Sequence, residues 1–218
     1  MINIVYEDNH LLIVEKPINI PVQLDDSNDK DLLTILKDYI KEKYNKSGNV
    51  YLGLVHRLDR PVGGIMIFAK TSKAASRLSE QIRNDTFKKE YYAILEGKAL
   101  ESDHLVDRLL KYEKTNITKI DIKGKEAVLD YKLISYKENL SLVNINLKTG
   151  RSHQIRVQFS SRNLPLYGDQ RYNKKAIVGQ QIALFAKKIT FMHPVTKEIL
   201  SFELELPNRY PFNIFKSN

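Results

Sequence analysis

"AVLDYKLISYKENLSLVNINL", residues 127–147, decides the fold. Ala127–Tyr136 and Leu140–Leu147 both alternate apolar and polar side chains. A period of two puts one face of each segment inward, so the two read as strands and as an antiparallel pair. The same reading extends in both directions. "KEYYAILEG" (89–97) is a strand closed by Gly97, and "IALFAKKITFMH" (182–193) and "ILSFELELP" (199–207) are late strands. "INIVYEDNHLLIVEKP" (2–17) reads as two short strands around the polar turn Glu7–His10. "YLGLV" (51–55) and "GIMIFAK" (64–70) add two more. Between them lie helices. From Asp31, Leu32, Ile35, Leu36, Tyr39 and Ile40 recur at helical spacing. "TSKAASRLSEQIRN" (71–84) is a second helix, capped by Thr71 or Ser72. "SHQIRVQFSSRN" (152–163) is a third, with Ser152 placed to cap it. Residues 101–125 are polar and poorly periodic, and read as a hairpin or an insertion. Strands dominate and helices do not alternate with them, which predicts an α+β fold on a largely antiparallel sheet.

The chain has 218 residues, enough for one sizeable core, and 42% apolar and 28% charged residues place it among globular proteins. A single domain over 1–218 is expected. There is no cysteine, which excludes disulfides, thiolate metal sites and cysteine nucleophiles. The first ten residues include Glu7 and Asp8 and lack a basic, apolar leader, and no apolar run approaches the roughly 20 residues that cross a bilayer. A cytoplasmic, bacterial-type protein without membrane contact is expected. Lys and Arg number 35 against 26 Asp and Glu, a formal charge of +9. That balance favours a polyanion such as nucleic acid. A lysine-rich composition alone gives the same number, so charge does not decide the partner.

Three stretches carry chemistry. "VHRLDRPVGG" (55–64) sets Asp59 between Arg57 and Arg60, beside His56, and ends in Gly63 and Gly64. Neighbouring cations favour an ionised carboxylate, which can serve as nucleophile or general base. Glycines there permit positive φ and close approach. Taken alone, the stretch reads more readily as a solvated surface Asp between two arginines. "LKTGRSHQIRVQFSSRNLPLYGDQRY" (147–172) puts Arg151 and His153 at a helix start, where phosphate is favoured, and Arg156 one turn further in. If buried, Arg156 needs an anionic partner. Tyr167, Arg171, Tyr172, Lys174 and Lys175 follow, a basic and aromatic mixture suited to RNA backbone and bases, or to an ordinary surface. In "FKKEYYAILEG", Tyr91 and Tyr92 point to opposite faces of a strand, one of them into the core. No nucleotide-binding glycine loop, HExxH or GxSxG is present, and the five histidines show no metal spacing.

Together these stretches resemble the RluA-type family of RNA pseudouridine synthases. "HRLD" at 56–59 with Gly64, Lys89-Glu90-Tyr91, "TGRSHQIR" at 149–156, and Pro165 through Tyr172 match the family's motifs in order. The opening "VYEDNHLLIVEKP" resembles its first strand pair. The likeness runs over nearly the whole chain. Val62 and Gly63 replace the family's usual small polar pair, Leu184-Phe185-Ala186 stands for a common Leu-His-Ala, and Gln158 stands where a His is frequent. Because the first strand begins at residue 2, no separate RNA-binding domain is expected in front of it.

The resemblance implies a mixed, largely antiparallel sheet with flanking helices and loops around a central cleft. It implies isomerisation of specific uridines to pseudouridine in structured RNA, ribosomal RNA before transfer RNA, with the target base flipped out of a stem-loop and no cofactor or metal. Asp59 would be the essential carboxylate, attacking C1′ or taking the 2′ proton. Tyr91 would stack on the uracil and help remove the C5 proton. Arg156 would pair with Asp59. Arg57 would fill the place of the flipped base or hold its phosphate, and His56 would support the loop. Arg151 and Gly64 would meet the RNA, and Ile155 and Leu184 would wall the uracil. A monomer is expected. The competing readings are a catalytically silent RNA-binding or ribosome-assembly protein with the same fold, and a nonspecific polyanion binder.

Overall fold

The computed structural model describes residues 2–25 and 29–216, and the chain divides into two compact units. The first comprises residues 1–87 and 188–204, the second residues 88–187 and 205–218.

In the first unit, β1 (Asn3–Glu7) pairs antiparallel with β2 (Leu11–Lys16), and β2 pairs antiparallel with β4 (Gly63–Ala69), Lys16 opposite Gly64. The two-residue β3 (Gly53–Leu54) adds to β4. Every residue of β4 is buried, as expected of an apolar run covered on both faces. Helix α1 (Leu32–Lys43) buries Leu32, Leu36 and Ile40, one side of the predicted stripe. Asp31 caps it, accepting the Thr34 N–H at 3.0 Å and the Thr34 hydroxyl at 2.7 Å. Of the two candidate caps for α2 (Ser72–Arg83), Thr71 is the one used: its hydroxyl accepts the Ala74 N–H at 3.2 Å. Phe87 stacks on Phe191 with centroids 5.4 Å apart, closing this core.

The second unit is built on an antiparallel sheet whose neighbours are not all consecutive in sequence. β5 (Lys88–Glu96), β9 (Leu140–Leu147), β8 (Lys125–Lys137), β6 (Ser102–Tyr112) and β7 (Ile117–Ile120) lie side by side in that order, each antiparallel to its neighbour. The β8–β9 pair is the one that alternation predicts. Glu138 and Asn139 join it with φ of 52° and 58°, the left-handed pair that matches the twist of a two-residue hairpin. Residues 101–125 are the hairpin rather than the insertion. β6 is exposed along much of its length, which is why no clean alternation marks it. Helix α3 (Gln154–Ser160) is nearly all buried. It begins later than its sequence suggests: His153, at φ 52°, precedes it, and no side chain at 152 or 153 caps it.

β10 (Leu184–Met192) runs through the division between the units, and its end pairs with β11 (Ile199–Glu203) in the first. The result is the α+β, largely antiparallel architecture expected from the sequence.

Candidate active site

The Asp59 segment belongs to the first unit. Asp59 is half-buried, and its carbonyl accepts the Val62 N–H at 2.9 Å, closing a tight turn through Arg60 and Pro61. Beneath that turn lies Lys16, whose side chain is fully buried. Its Nζ donates to the carbonyls of Pro17 (2.9 Å), Arg60 (2.9 Å) and Val62 (2.8 Å). Burial of the ammonium lowers its pKa from 10.5 to about 8. The Asp59 charge opposes that fall and Arg60 adds to it. Lys16 thus ties down the backbone on both sides of Pro61.

The neighbours of Asp59 divide their tasks. Arg60 forms ion pairs with Asp29 and, at 3.7 Å, with Asp25. Arg57 is exposed. His56 is built into the scaffold: its Nε2 accepts the Ile67 N–H at 3.2 Å and its ring lies 5.9 Å from that of Phe87. Gly63 and Gly64 are buried in β4 rather than set on an open loop. Gly64 has φ +123°, a conformation that disfavours any side chain. A Cβ on Gly63 would come within 3.1 Å of the Lys16 carbonyl and of Ile18, so the room it leaves is used by the chain's own backbone.

The second unit holds the remaining candidates. Tyr91 is buried on β5 opposite Ile145, while Tyr92 faces the other way with the Lys187 ammonium 4.6 Å from its ring centre. Lys89, two residues before Tyr91 and on the same side, is buried as well. Ile155, on α3, and Leu184, at the start of β10, are both buried.

Arg156 is buried, and Asp169 holds it in a two-pronged pair: Nε to Oδ2 at 2.9 Å and Nη2 to Oδ1 at 2.7 Å. Asp169 Oδ1 also accepts the backbone N–H groups of Arg171 (3.1 Å) and Tyr172 (3.3 Å). The turn and the guanidinium are therefore oriented by one carboxylate. Gly168 makes this possible: its φ is +69°, and a Cβ there would sit 2.5 Å from the Gln181 carbonyl oxygen.

The start of α3 is organised by Gln154, not Ser152. Gln154 Oε1 accepts the Thr149 hydroxyl (2.8 Å) and the Arg151 N–H (3.0 Å). Gln158, where a His is frequent in the family, donates to the Asp107 carboxylate (2.8 Å) and the Ala127 carbonyl (3.2 Å). Arg151 is exposed, its Nε donating to the Glu126 carbonyl at 2.7 Å. Tyr172 is not an open stacking platform: its hydroxyl accepts the Thr118 N–H at 2.9 Å and meets His153 Nδ1 at 2.7 Å. The Arg156 guanidinium lies 5.1 Å from its ring centre.

Sequence alone assigns no task to Lys16, Lys89 or Asp169. Lys16 stands in a strand pattern where a lysine ordinarily reaches water. Lys89 and Asp169 lie inside matched motifs but carry no stated role.

Charge is divided unequally. The first unit carries 14 Lys and Arg against 14 Asp and Glu, the second 21 against 12, so the whole excess of +9 lies on the second. Among the described residues, no helix is long and apolar enough to cross a membrane.

Comparison with known proteins agrees with the motifs. Residues 10–161 match the RNA pseudouridylate synthase family. The chain is 35% identical over 221 residues to ribosomal large subunit pseudouridine synthase D of Zymomonas mobilis, covering 94% of this chain and 69% of that protein. It is 34% identical over 211 residues to the uncharacterized RNA pseudouridine synthase YhcT of Bacillus subtilis, again covering 94% and 69%. Human RNA pseudouridylate synthase domain containing 4 shares the fold, with a TM-score of 0.81 at 21% identity over 97% of this chain and 91% of that one. Nothing in these likenesses favours a catalytically silent protein. The chain belongs to the RluA-type RNA pseudouridine synthases, isomerases that act on uridines in RNA.

Proposed function

We propose that the protein converts specific uridines of ribosomal RNA to pseudouridine, in the cytoplasm and as a monomer, with Asp59 as its essential carboxylate. The observation that carries this reading is the setting of Asp59: a half-buried carboxylate on a tight turn whose flanking carbonyls are gripped by a buried lysine. A group held in this way reaches a reacting atom without first losing conformational freedom. Ribosomal RNA is favoured over transfer RNA because the Zymomonas relative is named for the large ribosomal subunit.

The reaction breaks the bond from C1′ to N1 and forms one from C1′ to C5. The C5 proton leaves and N1 gains one, so no oxidant or reductant is consumed. The target base is flipped from its stem-loop to be reached. Asp59 either attacks C1′ or takes the 2′ proton. Tyr91 stacks on the uracil and assists loss of the C5 proton, with Ile155 and Leu184 as apolar walls. Arg156, its plane set by Asp169, presents positive charge to the reacting groups. Arg57 and Arg151, both exposed, meet phosphates.

The test compares RNA from a strain lacking the gene with RNA from its parent, mapping pseudouridine by carbodiimide-dependent reverse-transcription stops. One or a few stops lost from large-subunit ribosomal RNA are expected. An unchanged map contradicts the reading, and stops lost from transfer RNA reassign the substrate.

A further inference from the structure

The loop after the Asp169 turn has a feature that uridine isomerisation does not use. Ile177 and Val178 stand at its tip, 68% and 91% exposed, and no large apolar side chain among the described residues is more exposed than Val178. Turn tips favour Gly, Asn, Asp and Ser for reasons of backbone geometry and local hydrogen bonding, so a β-branched pair is not what a free turn selects.

Nor is the tip loosely held. The Ile177 N–H donates to Gln180 Oε1 at 2.8 Å, and the Gln180 N–H returns to the Ile177 carbonyl at 3.0 Å. Gln180 Nε2 donates to the Tyr167 hydroxyl at 3.0 Å, and Gln170 Nε2 to the Gln180 carbonyl at 3.0 Å. At the other end, buried Asn173 donates to Glu96 Oε1 at 2.7 Å, and its Oδ1 accepts the Lys175 N–H at 2.9 Å. Gly179, at φ +92°, completes the turn. Two bare apolar side chains are thus presented on a backbone already ordered, which removes most of the entropic cost of engaging a partner. Lys174 and Lys175, both exposed, precede the tip, on the unit that carries the entire excess of positive charge.

We propose that the Ile177–Val178 tip is an apolar wedge that enters the RNA substrate at an unstacked step, with Lys174 and Lys175 bound to the flanking phosphates. Rigid apolar side chains next to cations are the chemistry by which proteins part neighbouring bases. A bulged or loop-closing step is the natural occupant, because its stacking is already weakened. The inference rests on RNA being the substrate and extends it to a contact outside the residues assigned to the isomerisation.

The test uses the full chain and an RNA stem with a single-nucleotide bulge, carrying 2-aminopurine beside the bulge as a reporter of unstacking. Wild-type protein is expected to raise the fluorescence on binding. The double variant I177S/V178S, changed only at exposed positions, is expected to bind about tenfold more weakly and to give no rise at saturation. K174Q/K175Q is expected to keep the rise at saturation while lowering the slope of affinity against salt by roughly two phosphate contacts. Wild-type protein that fails to bind, or binds without a rise, overturns the wedge. So does an I177S/V178S protein that matches wild type. If I177S/V178S instead converts a sedimenting dimer to monomer with RNA binding unchanged, the tip is a protein interface and the wedge is wrong. None of these results touches the isomerase reading, which is scored separately by the pseudouridine map.

Discussion

Replacing Lys16 with methionine probes how the Asp59 turn is held. The Lys16 ammonium supplies the carbonyls of Pro17, Arg60 and Val62, and K16M leaves all three without that donor. A buried acceptor left unpaired costs about 1–3 kcal/mol. Opposing this, the fall of the Lys16 pKa from 10.5 to about 8 shows that the charged form is disfavoured by burial, and removing the charge recovers about 3 kcal/mol. Three such acceptors outweigh that recovery, and K16M is expected to lose about 1–3 kcal/mol. The disturbance is concentrated at the site, because two of the unpaired carbonyls follow Asp59 by one and three residues. A displacement of about 1 Å at the reacting carboxylate costs on the order of a hundredfold in turnover. K16M is therefore expected to bind RNA with near-normal affinity and to lose ten- to a hundredfold in kcat.

The pH dependence separates this account from simple destabilisation. Between pH 8 and 10.5 the unfolded chain holds a proton on Lys16 that the folded chain has released. Folding stability contributed by this group therefore rises with pH across that window, by up to about 3 kcal/mol, and the rise is absent in K16M. Turnover moves the other way. The neutral amine has two N–H groups for three carbonyls, and Asp59 loses a neighbouring positive charge, so wild-type kcat falls as pH passes about 8. Denaturant melts and single-turnover rates across the window measure both. A K16M protein with wild-type kcat, or parallel stability curves for the two proteins, would show that buried Lys16 does not hold the Asp59 turn in its working geometry.

Three further outcomes follow from packing. Burial alone would raise the Glu7 carboxyl, but hydrogen bonds from Lys43, Lys70, Tyr44 and Tyr39 outweigh it and hold the pKa at about 2. E7Q should cost about 1–2 kcal/mol at neutral pH after solvent screening, and in acid melts the difference should close as pH falls from 4.5 through about 2, below which the carboxylate is protonated in both states. D169N weakens the charge partner of a buried arginine and should cost about 3 kcal/mol by denaturant melt, with a fall in kcat larger than any change in KM. G168A drives a Cβ towards the Gln181 carbonyl in a left-handed backbone, and should cost at least about 2 kcal/mol, visible as a lowered Tm.

Much of the fold was legible because strands and helices announce themselves by period. The Leu32–Leu36–Ile40 stripe and the β8–β9 alternation appear where local pattern places them. β6 and β7 escaped because their faces are mixed: β6 turns Leu105 and Leu109 inward but also Asp107, leaves Val106 exposed, and β7 buries Thr118. Ser152 looked like a cap, yet the helix starts later and the Gln154 side chain, which has both a donor and an acceptor, does the work instead. Lys16 was hidden for a different reason. Before Pro17 at a strand end it reads as a solvated lysine, and only the return of the chain 44 residues later buries it under the Arg60 carbonyl. Asp169 likewise acquires its task from Arg156, 13 residues away. The charge asymmetry could not be read linearly, because each unit is assembled from separate stretches of chain.

Tritium release from RNA transcribed with 5-tritiated uridine, compared between purified wild-type and D59N protein, tests the role of Asp59 most directly. Forming the C5–C1′ bond expels the C5 hydrogen, so each turnover frees one label. Steady release by wild type and none by D59N are expected, with RNA affinity of the variant within about threefold of wild type, since one half-buried turn residue contributes little to a phosphate-dominated interface. Release by D59N at the wild-type rate would contradict the assignment of Asp59 and the mechanism built on it.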